Sequence, residues 1–258
     1  MSLHSYSFDR AAPFYDETRG LPDDISAKVT HMILVLAPAD RPVLDCGVGT
    51  GRIAAPLLKR GANVIGVDLS VEMMRRLREK VAGSPLAQAD VSRLPFPNAS
   101  FGLLITVHVL HLVGLWREAL REFRRVLRPG GVYLNSHNFR PADSPNARLR
   151  TQWHTLLEAR GWSWRRPGAQ DHGELVAELR RMGAHVDEIS VGQWTHTITP
   201  QQELDQIAAR THSDSWSVSD AALAESLVAL RTWAIAVYGD LQTPIPIERR
   251  FSFDVIYF

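Results

Sequence analysis

The sequence predicts an α/β fold: a seven-stranded, mostly parallel sheet with helices on both faces and a helical insertion late in the chain. Three observations carry this. Apolar runs alternate with helix-period segments from about residue 28 to residue 140, the pattern made by parallel strands joined through helices. A glycine-rich turn, Gly47-Val-Gly-Thr-Gly51, separates the first apolar run from the helical segment that follows. Beyond residue 140, two extended segments near 185–197 and 248–258 stand apart from helical stretches, as the last strands of one sheet would around an insertion.

Taken in order, Val43-Leu-Asp-Cys46 is a buried strand ending at Gly47. Residues 50–60 read as a helix that Pro56 weakens or kinks. Residues 63–67 form the second strand, and residues 70–81 a charged helix with Ser70 as its cap. Residues 85–89 make a short third strand and 101–107 a fourth, rich in branched residues. Residues 115–127 form an arginine-rich amphipathic helix stopped by Pro129-Gly-Gly131, and 132–137 the fifth strand. Helices are expected at 149–160, 173–181, 200–211 and 219–238, the last capped by Ser219. The chain is thus expected to be a single domain, 1–258. It would have a core at 28–140, late strands at 185–197 and 248–258, and lid segments at 141–182 and 199–243.

At 258 residues, 45% hydrophobic and 22% charged, the composition excludes disorder and fibrous repeats. Cys46 is the sole cysteine, so a disulfide framework is excluded. A net charge of +1 is far from a polyanion-binding balance, and no nucleic-acid partner is expected. Arg117, Arg121, Arg124 and Arg128 recur at helical spacing, but Glu118 and Glu122 interleave them as on a solvated face. The longest apolar stretch, residues 103–116, is broken by Thr106, His108 and His111, so no membrane span is expected. Asp9, Arg10, Asp16, Glu17 and Arg19 interrupt the first twenty residues, which argues against a secretion signal and for a cytoplasmic setting.

The glycine turn carries the chemistry. Such a turn between a strand and a helix lets a ligand approach the backbone at the helix's positive end. Asp68 closes the second strand, where a carboxylate accepts ribose hydroxyls, and Asp90 closes the third. A dinucleotide fingerprint needs glycine where Arg52 stands, and no Gly-Lys-Ser/Thr phosphate loop is present. Asp45, two residues before the first glycine, would repel a pyrophosphate but suits a ligand bearing a cation.

These segments resemble the class I S-adenosylmethionine-dependent methyltransferases, specifically the broad ubiquinone/menaquinone-type (type 11) group. The resemblance rests on Val43–Gly51, Val64-Ile-Gly-Val-Asp-Leu-Ser70, Ala89-Asp-Val91, Leu94-Pro-Phe-Pro97, Ser100-Phe101, Arg125-Val-Leu-Arg-Pro-Gly-Gly131 and, at the amino-terminal end, Phe8–Asp16. It implies a Rossmann-like fold and S-adenosyl-L-methionine as cofactor. It further implies that Asp45 and the backbone of Gly47, Gly49 and Gly51 hold the methionine part, and that Asp68 takes the ribose hydroxyls. Leu69 and Met73 would flank the adenine, Asp90 would accept from its amino group, and Val91 would donate an amide. Val107 would line the sulfonium side, with Tyr15 and Arg19 over the methionine carboxylate.

Methyl transfer needs alignment, exclusion of water and, for some acceptors, a base. His108 and His111 follow the fourth strand and His137 ends the fifth, so they stand where an acceptor is expected, with His108 and His111 the candidate catalytic residues. His108-x-x-His111 has no third ligand at a recognisable spacing, so no metal is expected. Six of the seven tryptophans, Trp153, Trp162, Trp164, Trp194, Trp216 and Trp233, lie late in the chain. Most should pack the insertion, and a few would line a pocket for a small apolar or aromatic acceptor. The alternative is an S-adenosylmethionine-binding protein of this fold with another transfer, such as aminopropyl, or with no turnover. Oligomeric state leaves no trace in the sequence.

Overall fold

The computed structural model describes residues 7–139, 141–163 and 165–258. Seven strands lie among them: β1 (Val43–Cys46), β2 (Val64–Asp68), β3 (Leu86–Gln88), β4 (Phe101–Val107), β5 (Leu127–Phe139), β6 (His185–Ile198) and β7 (Ile245–Tyr257). They form one sheet in the order β3-β2-β1-β4-β5-β7-β6. The pairs β1–β2, β1–β4, β2–β3 and β4–β5 are parallel. Tyr133 stacks on Phe258 and Asn135 bonds Asp254, so numbers rise along β5 as they fall along β7, which therefore runs antiparallel. The chain builds outward from β1 to β3, then returns to place β4 on the other side of β1. That reversal leaves a crevice beyond the carboxyl ends of β1 and β4, where ligands of open α/β sheets bind.

The helices are α1 (Tyr15–Arg19), α2 (Asp23–Leu36), α3 (Ala54–Leu58), α4 (Val71–Lys80), α5 (Trp116–Val126), α6 (Pro145–Glu158), α7 (His172–Arg181), α8 (Pro200–Ala208) and α9 (Asp220–Tyr238). A 3-10 turn, Asp9–Phe14, precedes α1. The helix expected at 50–60 contracts to five residues. Pro56 then falls in its first turn, where a missing N–H leaves no intrahelical bond unmade. The helix α5 ends one residue early, and β5 starts at Leu127 and runs through Pro129-Gly-Gly131. The β4–β5 register shifts between Phe101 and Leu103, and such an irregularity tolerates proline within a strand. Ser70 and Ser219 cap α4 and α9 as expected, accepting from the amides of Met73 and Ala222.

The chain divides into two compact units. The first comprises Met1–His137 (described from Ser7), Arg166–Gly192 and Phe251–Phe258. Residues 166–182, expected in a lid, thus fold with the first unit. In its core, Trp116, Ala119, Leu120, Phe123 and Val126 recur at helical spacing along α5 and pack with Leu44, Leu104, Tyr133 and Ile256. Burying each large side chain is worth about 1.5–3 kcal/mol. The arginines of the opposite face, and Arg128 just beyond the helix, have partners: Arg117 pairs with Glu174 and Glu178, Arg121 with Glu118, and Arg128 with Asp40, while Arg124 donates to the Met182 carbonyl.

Arg125 has a different task. Its guanidinium donates to the carbonyls of Leu94 (3.1 Å) and Phe96 (2.7 Å) and to Asn98 Oδ1 (3.0 Å). It also pairs with Glu122, which accepts the Leu94 amide at 2.8 Å. One ion pair therefore holds the segment leading into β4. Since hydrogen bonds to charged groups are worth ~1.5–3 kcal/mol each, Arg125→Ala should lower stability by about 2–3 kcal/mol in urea titrations. Lysine should restore little of it, because one ammonium cannot reproduce the fork. A loss below about 0.5 kcal/mol would refute this assignment.

The second unit comprises Asn138–Arg165 and Gln193–Arg250. Its core joins Leu149, Trp153 and Leu157 of α6, Leu204 and Ile207 of α8, and Leu223, Leu230 and Ala234 of α9. Trp153 is fully buried and its indole donates to Ser226 Oγ; that of Trp216 donates to the Arg210 carbonyl. Trp162 and Trp233 pack against the same core. Trp194 is half-buried on β6, and Trp164 lies outside the described residues. Four tryptophans are thus explained by packing and give no support to an apolar acceptor. α9 is, by length and composition, apolar enough to cross a membrane, which the sequence reading did not expect. It carries Glu225 and Arg231 and turns one face into this core, leaving Val228 and Ile235 exposed.

Candidate functional site

The site is built in the first unit at the crevice between β1 and β4. Gly47, Gly49 and Gly51 all have positive φ (74°, 54° and 81°), a backbone region that side chains rarely adopt. A Cβ at Gly47 would overlap Val109, so the turn after β1 and the segment after β4 are in contact; one at Gly51 would overlap Leu77 of α4. At Gly49 it would stand 3.3 Å from the tip of Met73. The turn therefore presents bare backbone, with Met73 beside it.

Asp68 braces this turn. One carboxylate oxygen accepts the Gly49 amide and the other the Ser70 amide, each at 2.8 Å. Burial pushes its pKa up against these bonds. Asp45 is 2% exposed, and burial first, then the charge of Asp68, raises its pKa to about 7, with Arg52 acting in the opposite sense. Two carboxyls thus share a poorly solvated turn, an arrangement that a cation relieves and an anion aggravates. These residues fit S-adenosylmethionine, which carries an ammonium and a sulfonium and has no phosphate.

The remaining expected cofactor residues have the following surroundings. Leu69 is half-buried and its carbonyl accepts Gln88 Nε2. Asp90 follows β3, with Oδ1 accepting the amide and hydroxyl of Ser92, and Val91 is buried in the core. Val107 ends β4, 8% exposed. Tyr15 packs edge-on against Phe8, 6.3 Å between ring centroids.

What the sequence reading missed is how the amino-terminal segment is held there. Asp16 accepts from the Thr50 hydroxyl and pairs with Lys80 at 2.6 Å. Arg52 donates to the Arg19 carbonyl at 2.8 Å, and Asp9 accepts from the Ser70 hydroxyl. No spacing rule links Asp16 to Lys80, so nothing local announces the contact.

Of the candidate catalytic histidines, His108 has φ +61°, a strained conformation for a side-chain-bearing residue, immediately after β4. His111 is pressed down to about pKa 4 by burial and then by the charges of Arg166 and Arg19. Its imidazole is therefore neutral at pH 7 and able to accept a hydrogen bond. Its conjugate acid is too strong for a well-matched base at that pH. His137, near the end of β5, follows Ser136, the register partner of Val107, and lies 3.5 Å from Asp254.

Residues 44–135 match the family described as "Methyltransferase domain". An uncharacterized methyltransferase of Mycobacterium tuberculosis is 29% identical over 220 residues, 81% of this chain and 78% of that protein. A malonyl-[acyl-carrier protein] O-methyltransferase of Enterobacter lignolyticus is 31% identical over 128 residues, 49% of each chain. Among solved structures, the YcgJ protein of Bacillus subtilis superposes with TM-score 0.54 at 20% identity, covering 89% of this chain and 97% of that one. The [4+2]-cyclase SpnF does so with TM-score 0.57 at 17% identity, over 97% and 93%.

Proposed function

We propose, from the similarity of residues 44–135 to the family described as "Methyltransferase domain" and from the methyltransferase relative of 29% identity, that this chain is a class I S-adenosylmethionine-dependent methyltransferase and transfers a methyl group to a small organic acceptor. The observation that carries the reading is the pair of buried carboxyls Asp45 and Asp68, each pushed up in pKa by burial, around a turn of three positive-φ glycines. In this reading Asp45 and the bare backbone of Gly47, Gly49 and Gly51 hold the methionine part. Asp68 accepts the ribose hydroxyls, Leu69, Met73, Asp90 and Val91 hold the adenine, and Val107 lines the sulfonium side. Tyr15 and Arg19 close over the methionine carboxylate, with Arg19 already anchored through Arg52.

Bound S-adenosylmethionine supplies a methyl carbon activated for in-line displacement. The residues after β4 then orient the acceptor: His108 and His111 face its proton-bearing atom, with neutral His111 as hydrogen-bond acceptor. A net charge of +1 and the paired arginines of α5 and of the start of β5 support a small acceptor over a nucleic acid. The cyclase of the same fold supports a second reading, cofactor binding coupled to another reaction.

Calorimetry tests the first step: S-adenosylmethionine and S-adenosylhomocysteine should bind, and NAD should not. A bound cation lowers the pKa of Asp45 from about 7, so binding should release protons and tighten as pH rises from 6 to 8. Methyl-labelled cofactor incubated with protein and a cell extract then separates the chemistries. Label in the small-molecule fraction is expected. Label in RNA, DNA or protein would overturn the acceptor class, and its absence from every fraction would favour the second reading.

A further inference from the structure

At the carboxyl end of β5, away from the glycine turn, three side chains from three elements converge. His172 is the first residue of α7, positioned by Asp171, whose carboxylate caps the helix by accepting the Glu174 amide at 2.8 Å. Its Nε2 lies 2.8 and 3.0 Å from the two carboxylate oxygens of Asp254 on β7. His137 Nε2 lies 3.5 Å from Asp254 Oδ1 and 3.6 Å from Glu188 Oε1. The two imidazoles stack with centroids 4.2 Å apart and planes 27° from parallel, which sets their Nε2 atoms side by side facing one carboxylate. The three donor atoms all fall within 4.8 Å of one another.

From these side chains we propose that His137, His172 and Asp254 form a binding site for a divalent first-row cation of the zinc type. Bonds of ~2.1 Å in a tetrahedral site place neighbouring ligand atoms about 3.4 Å apart. The observed separations of 2.8–3.5 Å between histidine nitrogens and Asp254 bracket that edge. Two imidazoles and a carboxylate select zinc, cobalt or iron over magnesium and calcium, which prefer oxygen.

The carboxylate is also oriented from behind, as metal ligands are. Asn135 donates to Asp254 Oδ2 at 3.0 Å and itself accepts the buried Thr106 hydroxyl on β4. Asp254 is 1% exposed, and a carboxylate so deeply buried demands this much support. Three protein ligands leave a fourth position for water or substrate, with Glu188 near His137. On the reading of function above, this position lies on the acceptor's side of the sheet, beyond the end of β5. A cation there would bind and acidify an acceptor oxygen or sulfur.

The test uses the full chain, freed of any histidine tag and stripped with a chelator, titrated with Co2+ alone. One equivalent should bind and give the visible absorption of a low-coordinate site, which Zn2+ abolishes and Mg2+ does not. His172→Ala, at a half-exposed position, and Asp254→Asn should each weaken Co2+ binding at least tenfold. Their circular dichroism and S-adenosylmethionine affinity should be unchanged. Failure to bind Co2+ at micromolar concentrations, equal displacement by Mg2+, or undiminished binding by both variants would overturn the site. A chain that binds Co2+ here but not S-adenosylmethionine would uphold the site while refuting the function above.

Discussion

Arg150→Ala should destabilise the second unit by about 3–5 kcal/mol, the usual cost of removing one partner from a buried charge network. Arg150, on α6, reaches Glu203 at 2.6 Å and Asp214 at 2.7 Å, and its remaining nitrogen contacts His212 Nδ1 at 2.6 Å. Glu203 is only 2% exposed, and Asp214 7%. Burial by itself would raise the pKa of Asp214. The hydrogen bond from His154 and the charge of Arg150 outweigh it and hold the carboxyl well below the usual range. Removing the guanidinium reverses that balance. A carboxylate lowered in the folded state contributes stability above its unfolded pKa near 4, lost as pH falls below it. In the alanine variant that contribution should be diminished already at neutral pH. Trp153, Trp162, Trp216 and Trp233 make tryptophan fluorescence a reporter on this unit in denaturant titrations. A loss under about 1 kcal/mol would mean that water or His154 replaces the guanidinium at little cost.

Asp68→Ala should raise the dissociation constant for S-adenosylmethionine by about ten- to a hundredfold or more. Two hydrogen bonds from ribose to a charged acceptor are worth ~1.5–3 kcal/mol each before water compensates. The structure adds a second contribution, because the same carboxylate holds the Gly49 and Ser70 amides. The alanine variant therefore loses ligand contacts and the brace that shapes the turn. Asparagine should fall between alanine and the parent, since its carbonyl can still accept one of these bonds. Calorimetry on the three proteins, with circular dichroism to verify folding, reads this directly. An unchanged dissociation constant for the alanine variant would move the ribose contact elsewhere.

The glycine turn was legible because its parts are neighbours in the chain. Asp45, Gly47, Gly49 and Gly51 occupy one strand and the turn after it, and Asp68 lies one crossover away on the adjacent strand. A strand end, a run of positive-φ glycines and a carboxylate on the next strand are local or nearly local features, and each has its own residue signature. The same holds for the serine caps and for the apolar stripe of α5. At two prolines, packing overrules propensity. The short α3 tolerates Pro56 in its first turn, and β5 absorbs Pro129 at a register shift.

What the sequence by itself determined is thus the alternating α/β pattern and the glycine turn with its neighbouring carboxylates, since both follow from periodicity and from residues close along the chain. The tertiary structure alone decided what β7 does. By entering antiparallel between β5 and β6, it sets Asp254 beside Asn135 and within reach of His172, residues 119 and 82 positions away. It likewise set Asp16 against Thr50 and Lys80, and Arg150 against Glu203 and Asp214. Side chains so far apart along the chain meet only after the sheet order and helix packing have been chosen. That choice minimises the free energy of the whole fold and leaves no spacing in the sequence from which the meeting could be read.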